Sequence, residues 1–369
     1  MLTLFLCGDV MTGRGVDQIL AYPGDPRLPE SYRTDARSCV SLAERKNGPI
    51  PRPVQDDYVW GFALQTLADV CPTARIVNLE TSVTTSDDFW KGKPVHYRMT
   101  PRNIGCLSAA GIDCCALGNN HVLDLGHAGL SETLRTLGDA GIKTAGAGLS
   151  ETAAWAPAVI PTEAGGRILV FSVGARDSGV FGEWAAAEDR PGVAQLRDYS
   201  KRPFDRVAKA IAAARRDDSD IVVMSIHWGG NWGYRPPHRH RKFARRLIDE
   251  AGVDIVHGHS SHHVKGIEVY HGRLILYGCG DLITDYEGLP GRQAYRFSLS
   301  LMYFPQVDSA TGRLSRLRIQ PTVLRRLQLH RPAEENVAWL MKVLNREGRR
   351  FGTSVRLADD GMIELVWAG

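Results

Sequence analysis

The sequence predicts an α/β protein whose β-sheets are largely internal. Three observations lead to this fold class. Short apolar runs alternate with segments of helical periodicity along most of the 369 residues. The hydrophobic content of 43% allows a full core, and the charged content of 23% is ordinary for a globular protein. The pattern shows no internal repeat and no convincing linker, so we expect residues 1–369 to form a single domain.

The predicted elements follow from these two periodicities. The strands are expected at Leu2–Leu6, Ala74–Val77, Asp113–Leu117, Arg167–Val173, Asp220–Ile226, Asp254–Val256, Ile267–Tyr270 and Leu274–Tyr277. The helices are expected at Gly129–Ala140, Phe204–Arg215, Arg239–Ala251 and Glu334–Asn345. In the first of these helices Leu130, Leu134 and Leu137 fall on one face, and Gly141 supplies a stop.

Two regions interrupt the alternation. Residues from about 22 to 57 are rich in Pro, Gly and Arg and have no sustained period, so we predict a lid-like insertion there. The stretch Gly229–Arg246 begins as an aromatic loop and becomes a basic helix.

Composition excludes several classes of protein. A formal charge of +4 is small for this length and does not indicate a nucleic-acid partner. No segment approaches the ~18 consecutive apolar residues of a membrane helix, and the N-terminus has neither a basic leader nor a long apolar region. The seven cysteines are scattered without CxxC spacing, as expected for reduced thiols. We therefore expect a cytoplasmic protein without nucleic-acid or membrane partners, and the sequence leaves its oligomeric state open.

Polar side chains recur just after the ends of the predicted strands. They are Asp9, Glu80, Asn120, His121, His227, His259 and His262. Loops beyond the carboxyl ends of strands converge on the ligand site in α/β sheets. Any one of these residues alone is more often a turn residue, a helix cap or a satisfied polar group. Their joint placement, with flanking glycines that allow close backbone approach, predicts a shared metal or acid/base site.

The order of the motifs GDVM, GR, NLE, GNNHVLDLG, HWG and GHSSHH resembles the CapA-type proteins of poly-γ-glutamate biosynthesis. These proteins are a branch of the calcineurin-like metallophosphoesterase superfamily, and the resemblance runs from about Leu2 to Tyr286. It implies a metallophosphoesterase-like catalytic domain, a four-layer sandwich of two central β-sheets flanked by helices. By the same resemblance His121 occupies the catalytic histidine's position. The metal-site positions are those of Asp9, Glu80, Asn120, His227, His259 and His262.

Three departures from the superfamily pattern bear on the metal. Met11 stands where a second ligand histidine is usual, and a thioether is a poor ligand for a hard ion. Glu80 replaces a bridging aspartate, and Asp281 stands where the CapA-type pattern has asparagine. The oxygen donors of Asp9, Glu80 and Asn120 suit Ca²⁺, Mg²⁺ or Mn²⁺. The histidines leave Zn²⁺ or Mn²⁺ as the rival prediction.

A cytosolic branch of CapA-like proteins, which includes the lasso-peptide epimerase, acts on ribosomally made peptides. This chain is similar to that branch in length class and in its departure from the phosphatase metal pattern. Inversion of a Cα needs a base on one face, an acid on the other and an electrophile for the enolate. One candidate pair is His121 with Asp124, although Asp124 could equally cap the following helix. A second pair would join His259 or His262 to Asp9 or Asp281, although Asp281 could be a turn residue.

Three functions therefore remain open from the sequence. The first hypothesis is a metal-dependent epimerase (an isomerase) acting on the C-terminal residue of a precursor peptide. The alternative is a metal-dependent phosphoesterase or other hydrolase, against which Met11 and Asp281 count. The third is a binding or scaffold protein with a relict site, against which the intact Asn120-His121 pair and the GHSSH spacing count.

The sequence indicates the substrate-binding residues less clearly than the metal site. Trp228, Trp232 and Arg235 follow a site histidine and would form an aromatic wall and a carboxylate clamp. Lys93 and Arg98 match a basic patch of the CapA-type pattern and would hold an anion. Core packing or a solvated surface is an equally good interpretation of all five. With either interpretation, a peptide is the expected substrate.

Overall fold

The computed structural model describes residues 1–163, 165–217, 219–289, 291 and 293–368. The helices are α1 (Arg37–Asn47), α2 (Phe62–Val70), α3 (Gly105–Ser108), α4 (Gly126–Asp139), α5 (Glu151–Trp155), α6 (Lys201–Ala214), α7 (His238–Ala251) and α8 (Glu334–Gly348). Short 3₁₀ turns occur at Asp17–Ile19, Pro101–Asn103, Arg176–Ser178, Gly182–Trp184, Gln293–Tyr295 and Arg349–Phe351. Among the described residues, no helix combines the length and apolar character needed to cross a membrane.

The strands run through the whole length of the chain. They are β1 (Leu2–Val10), β2 (Arg27–Glu30), β3 (Arg33–Asp35), β4 (Ala74–Leu79), β5 (Ser82–Val83), β6 (Arg98–Met99), β7 (Cys114–Ala116), β8 (Lys143–Ala145), β9 (Ala147–Gly148), β10 (Ala158–Pro161), β11 (Arg167–Ala175), β12 (Gly192–Val193), β13 (Gln195–Leu196), β14 (Ile221–His227), β15 (Ile255–His259), β16 (Ile267–Tyr270), β17 (Arg273–Leu276), β18 (Asp281–Ile283), β19 (Leu299–Val307), β20 (Leu314–Arg325), β21 (Gln328–His330), β22 (Thr353–Leu357) and β23 (Ile363–Trp367).

Two large mixed sheets are formed from these strands. The first sheet has ten strands in the order β22-β23-β20-β19-β1-β4-β7-β8, with β18 beside β1 and β21 beside β20. Its β1, β4, β7 and β8 are parallel, whereas β19, β20, β23 and β22 pair antiparallel. The second sheet has seven strands in the order β10-β11-β14-β15-β17-β16, with β13 beside β11. Its central β11, β14, β15 and β17 are parallel.

The two sheets pack face to face, with helices on both outer sides. Alternate residues of β1 show the layering, because successive side chains of a strand point to opposite faces. Leu4 and Leu6 join the core that lies between the sheets, together with residues of β11, β14 and β15. Phe5 and Cys7 join the core that α2 and α4 cover. On the far side, α6 and α7 pack Phe204 and other residues against the second sheet. The predicted four-layer sandwich is therefore confirmed.

Each predicted strand and helix is present, with its ends displaced by a few residues. The strand ends matter most for the site. We expected Asp9, His227 and His259 just after strands, but the ladders continue and all three are strand residues. Asp9 is held in register with Asn78 of β4, and His227 pairs directly with His259. This pairing gives the three side chains defined directions that a loop would not give them.

Residues 22–57 contain β2, β3 and α1, and they pack on the rest of the molecule through specific contacts. The carboxylate of Glu30 accepts a hydrogen bond from the backbone N–H of His96 at 2.7 Å. The N–H of Gly24 donates to Asp17 at 2.8 Å. A lid function for this segment stays a prediction.

A glycine allows the close strand pairing at the end of β1. A Cβ added to Gly8 would lie 1.7 Å from the carbonyl oxygen of Gly280. Residue 8 must therefore lack a side chain for β18 to approach, and the next residue, Asp9, then pairs with Asp281. This approach brings the two carboxylates to the same end of the first sheet.

Candidate metal centre

The site lies where the carboxyl ends of β1, β4, β14 and β15 from both sheets meet. A cavity of about 340 Å³ opens there. Its lining consists of Glu80, Lys93, Pro94, Val95, Asn120, His121, Asp177, Ser178, Gly179, Phe181, His227, Gly229, Asn231, Ser260, His262 and Tyr286. The described lining includes no residue of the 22–57 insertion. Residues from seven separate stretches of the chain thus share one pocket.

Asp9 is the point at which two groups of metal-type ligands overlap. Its carboxylate is fully buried and accepts from the Asn78 side chain at 2.8 Å. Ligand atoms of Asp9, His227 and His259 all lie within 4.8 Å of one another. Ligand atoms of Asp9, His262 and Asp281 meet the same criterion. The geometry therefore offers two adjacent cation positions that share one carboxylate.

Glu80 lies between His227 and His121. Its Oε1 is 3.6 Å from Nε2 of His227 and 3.7 Å from Nε2 of His121. Its Oε2 is buried without a hydrogen-bond partner among the described residues, and so are Oδ1 of Asn120 and Oδ2 of Asp281. A buried acceptor left without a donor costs about 1–3 kcal/mol. Oxygens of this kind fit a site for divalent cations, with Glu80 and Asn120 at the cavity and Asp281 in the second group of ligands.

The carboxylates are also crowded. Burial, followed by the neighbouring Asp281, raises the pKa of Asp9 to about 7. Burial and then Asp9 raise the pKa of Glu80 well above its ordinary value. A cation between these groups would relieve this repulsion, and carboxylate, amide and imidazole donors together suit Mn²⁺ as well as Mg²⁺, Ca²⁺ or Zn²⁺.

His121 and Asp124 form a dyad at the wall of the cavity. Nδ1 of His121 lies 2.6 Å from Oδ2 of Asp124, which also accepts the Tyr97 N–H at 2.7 Å. The Nε2 side of the ring faces Glu80. Burial lowers the pKa of His121 to about 4, so the ring is neutral near pH 7. Asp124 therefore contacts the imidazole directly, as one of the two sequence interpretations expected.

Lys93 supports this dyad from behind. Its side chain is 5% exposed, and Nζ lies 2.5 Å from Oδ1 of Asp124 and 3.1 Å from Nδ1 of His121. It also donates to the carbonyl oxygen of Asn120. The ammonium group is thus engaged by the protein itself. Lys93 also lines the cavity, so its role in binding a substrate anion stays a prediction beside this contact with Asp124.

A second dyad lines the same cavity. Nδ1 of His262 lies 2.9 Å from Oδ1 of Asp281, and Nε2 is 3.1 Å from the amide nitrogen of Asn231. Burial opposes protonation of His262, but Asp281 and then Asp9 hold its pKa above the ordinary value. Of the pairings left open by the sequence, the structure brings His262 to Asp281.

The surroundings of Met11 explain why Asp281 stands near the site. Met11 is fully buried, and its Sδ accepts from the Tyr286 hydroxyl at 3.7 Å. Asp281 begins β18 and pairs in register with Asp9, so it is a strand residue rather than a turn residue. Asp281 thus supplies a carboxylate at the end of the site where the thioether of Met11 is a poor ligand.

The remaining expected substrate contacts divide into two groups. Trp232 packs edge-on against His262, with ring centroids 5.7 Å apart, and so lies beside the site. Trp228 is 1% exposed and stacks on His240, so it packs into the helix-covered core of the second sheet instead of forming a cavity wall. Arg98 is engaged by the carbonyl oxygens of residues 86 and 25. Arg235 is exposed and, like Arg98, is not among the described lining residues.

Several lining residues were not anticipated. Asn231 and Ser260 lie in the segments GGNWGY and GHSSHH, beside predicted site residues, so their position in a site loop is the sequence signal for them. The Ser260 N–H donates to Asp9 at 3.3 Å. Asp177 and Phe181 follow β11, which carried no marked residue, and no sequence signal identified them.

Comparison of the sequence with known proteins shows the family of this chain. The chain is 46% identical over 367 residues to a probable polyglutamine synthesis accessory protein of Mycobacterium tuberculosis, covering 99% of this chain and 96% of the relative. It is 28% identical over 286 residues to the PGA biosynthesis protein CapA of Bacillus subtilis, covering 77% and 64%. The capsule biosynthesis protein CapA of Bacillus anthracis is 27% identical over 290 residues, covering 77% and 60%. A family model described as bacterial capsule synthesis protein PGA_cap matches residues 3–286, and the chain therefore belongs to this PGA_cap family.

Proposed function

We propose that this protein is a metal-dependent hydrolase that cleaves an amide or ester bond of an anionic, glutamyl-type substrate. One observation carries the proposal: two buried oxygens without hydrogen-bond partners, from Glu80 and Asn120, lie at the cavity that His121 of the His121–Asp124 dyad lines, and a third belongs to Asp281, which contacts the lining residue His262. Oxygens of this kind call for a cation, and the dyad next to them can move a proton.

The residues that would hold the cation are those whose ligand atoms converge. Asp9 and His227, with Glu80 next to His227, would form one position, and Asp9, His262 and Asp281 the other. When bound, a divalent cation of this kind polarises a carbonyl or phosphoryl group and acidifies water. Because Asp281 supplies a carboxylate near Met11, the thioether no longer counts against a hydrolase.

The proton transfer belongs to the His121 dyad. Asp124 orients the imidazole through Nδ1, so the neutral ring presents Nε2 to the cavity as a base. Nε2 takes a proton from the attacking water and then returns it to the leaving group. Lys93 holds Asp124 in place by the contact at 2.5 Å, and the Tyr97 N–H adds a second constraint.

The substrate class is inferred from the relatives. Those proteins are described as acting in polyglutamine synthesis and in PGA or capsule biosynthesis. Polymers of glutamine and of glutamate are both joined by amide bonds, and a polyglutamate also carries one carboxylate per residue. Its amide carbonyl is the type of group that a cation at this cavity would polarise.

The test is an assay of the purified protein with Mn²⁺ on poly-γ-glutamate, α-linked polyglutamate and bis-p-nitrophenyl phosphate. We expect new amine termini from one of the glutamyl polymers, lost in His121→Asn and unchanged in Lys91→Met, which alters an exposed lysine nearby. Release of nitrophenol alone would point to a phosphoester substrate. No bond cleavage with any of the three would contradict hydrolysis.

A second candidate is the epimerisation expected from the sequence, and one observation favours it. The cavity is lined by two His–Asp dyads, one at His121 and one at His262, and inversion at a Cα uses two proton carriers. Incubation with a peptide in D₂O would distinguish the reactions. Epimerisation places deuterium at one Cα of an uncleaved peptide, for instance its C-terminal residue, whereas hydrolysis produces fragments.

A further inference from the structure

A chain of hydrogen bonds leads from the candidate metal centre into the space between the two sheets. Nδ1 of His227 lies 2.9 Å from Nδ1 of His259, and Nε2 of His259 lies 2.8 Å from Oγ of Ser225. The same hydroxyl is 3.3 Å from Nδ1 of His257, whose Nε2 is 2.6 Å from the carbonyl oxygen of Cys7. All five residues are at most 1% exposed. Of the residues in this series of hydrogen bonds, only His227 has a role in the proposed hydrolysis.

Strand register brings these groups together. Ser225 and His227 are two residues apart on β14, and His257 and His259 are two apart on β15. The pairing sets Ser225 beside His257 and His227 beside His259. Because residues i and i+2 of a strand point to the same face, all four side chains meet on the inner face of the second sheet. The Cys7 carbonyl belongs to β1 of the first sheet, so the chain also joins the two sheets.

The direction of each hydrogen bond follows from its end point. A carbonyl oxygen can only accept, so Nε2 of His257 carries the proton. A neutral His257 then has a bare Nδ1, which accepts the Ser225 O–H. The hydroxyl has one proton, so it accepts from Nε2–H of His259, whose Nδ1 is bare and accepts from Nδ1–H of His227. Nε2 of His227 is therefore the free lone pair.

Hydrogen-bond donation in the opposite direction is energetically unfavourable. It requires His257 to carry a second proton on Nδ1 and thus to be an imidazolium, although its hydrogen-bond partners are a carbonyl and a hydroxyl. A buried charge without a counter-ion in contact is strongly unfavourable. The relay accordingly runs from His227 towards Cys7.

We propose that this relay makes His259 a positioning residue rather than a metal ligand, and that it presents Nε2 of His227 to the cation. The free Nε2 faces Oε1 of Glu80 at 3.6 Å, whereas Nδ1 of His259 is occupied by the proton of His227. The ligand assignment rests on the proposed metal centre, but the direction of the relay does not. A hydrogen-bonded partner of this kind fixes the tautomer and the orientation of a ligand histidine.

The first test uses the metal-free, full-length protein labelled with ¹⁵N in histidine. Long-range ¹H–¹⁵N correlation spectra distinguish the two tautomers of each ring. We expect Nε2–H for His257 and His259 and Nδ1–H for His227. An Nε2–H tautomer at His227, or an Nδ1–H tautomer at His259, would overturn the relay. Because no substrate and no metal are involved, this result is independent of whether the protein is a hydrolase.

The second test measures the affinity for Mn²⁺ by calorimetry in Ser225→Ala. Removing the hydroxyl interrupts the relay two bonds from His227, and we expect affinity to fall by roughly 10–100-fold, as for other partners of ligand histidines. The matched control is Ser300→Ala, which removes a buried hydroxyl that bonds Thr322 in the first sheet. The control should keep the wild-type affinity. Equal affinity in both variants would contradict the proposal.

A metal-soaked crystal provides the third readout, which does not require a variant to fold. With Mn²⁺ as the probe, the anomalous peak should lie within coordination distance of Nε2 of His227 and outside it for His259. A peak bonded to Nδ1 of His259 would refute the assignment.

Discussion

Replacing Lys93 by methionine removes one ammonium group and leaves a side chain of similar length. In the native protein this group lies 2.5 Å from Oδ1 of Asp124, with the lysine side chain 5% exposed and the aspartate fully buried. Although burial alone would raise it, the pKa of Asp124 is held below its ordinary value by His121 and then Lys93. The substitution therefore leaves a buried carboxylate with one oxygen unpaired.

The magnitude can be worked from what remains. Removing one partner of a buried ion pair typically costs about 3–5 kcal/mol. Asp124 keeps the Tyr97 N–H at 2.7 Å and the His121 ring at 2.6 Å on its other oxygen. We therefore expect the lower end, a decrease of about 3 kcal/mol in the free energy of unfolding. Since the loosened Asp124 no longer holds His121 rigidly, kcat should fall by roughly 10²-fold while KM changes little.

Urea denaturation followed by tryptophan fluorescence measures the first quantity, and initial rates on the glutamyl polymer that the proposed assay finds to be cleaved measure the second. Lys91→Met is the control, because Lys91 is an exposed lysine two residues away; it should change neither. If Lys93→Met unfolds at the same urea concentration as the wild type, Asp124 does not depend on the ion pair and the reasoning fails.

Four further predictions follow from single features. His121→Asn should lower kcat by about 10²–10⁴-fold with Mn²⁺ content unchanged by mass spectrometry; metal loss would instead make this residue a ligand. Mn²⁺ at one hundred times its Kd should raise the free energy of unfolding by about 2.7 kcal/mol, and an unchanged thermal midpoint would argue against the centre. Burial raises the pKa of Asp177, but the hydrogen bonds with His240 and Tyr199 outweigh burial and hold this pKa well below its ordinary value. The ionised Asp177 therefore contributes its full stabilisation above about pH 4 and loses it as the pH falls further. The free energies of unfolding of Asp177→Asn and the wild type should converge in acid; a constant difference would refute this. Gly8→Ala should prevent stable folding, as measured by circular dichroism, since its Cβ would lie 1.7 Å from a carbonyl oxygen, whereas Gly138→Ala meets nothing within 4 Å and should stabilise by about 0.4–1 kcal/mol.

The elements that sequence reasoning predicted well are those with strong local periodicity. The apolar runs of β1, β11 and β14 and the helical faces of α4 and α7 were visible without knowledge of their partners. The antiparallel half of the first sheet was missed, because β19 and β20 mix apolar residues with Ser, Gln, Arg and Pro. The pairing of β19 with β1, near the other end of the chain, establishes the first of these strands, and β20 in turn pairs with β19.

The site was predicted as a set but not in its internal contacts. Convergence of distant strand ends follows from a general property of α/β sheets, so Asp9, Glu80 and His262 could be grouped from sequence. The misplacement of Trp228 has a simple physical cause. His227 ends β14 facing the other sheet, and the next side chain points to the opposite face, where α7 covers it. The ion pair between Lys93 and Asp124 could not be predicted from the sequence either, since the two residues lie on separate loops.

The central position of β1 has a consequence for how the protein is made. One edge of β1 pairs with β4, which is synthesised early, but its other edge pairs with β18 and β19, which begin at residues 281 and 299. At about 5–20 residues per second, the ribosome needs roughly 15–60 s to reach β19 after finishing β1. During that interval an apolar strand with an unpaired edge is exposed to aggregation. On that edge β1 therefore lacks its native partners until both β18 and β19 have been made.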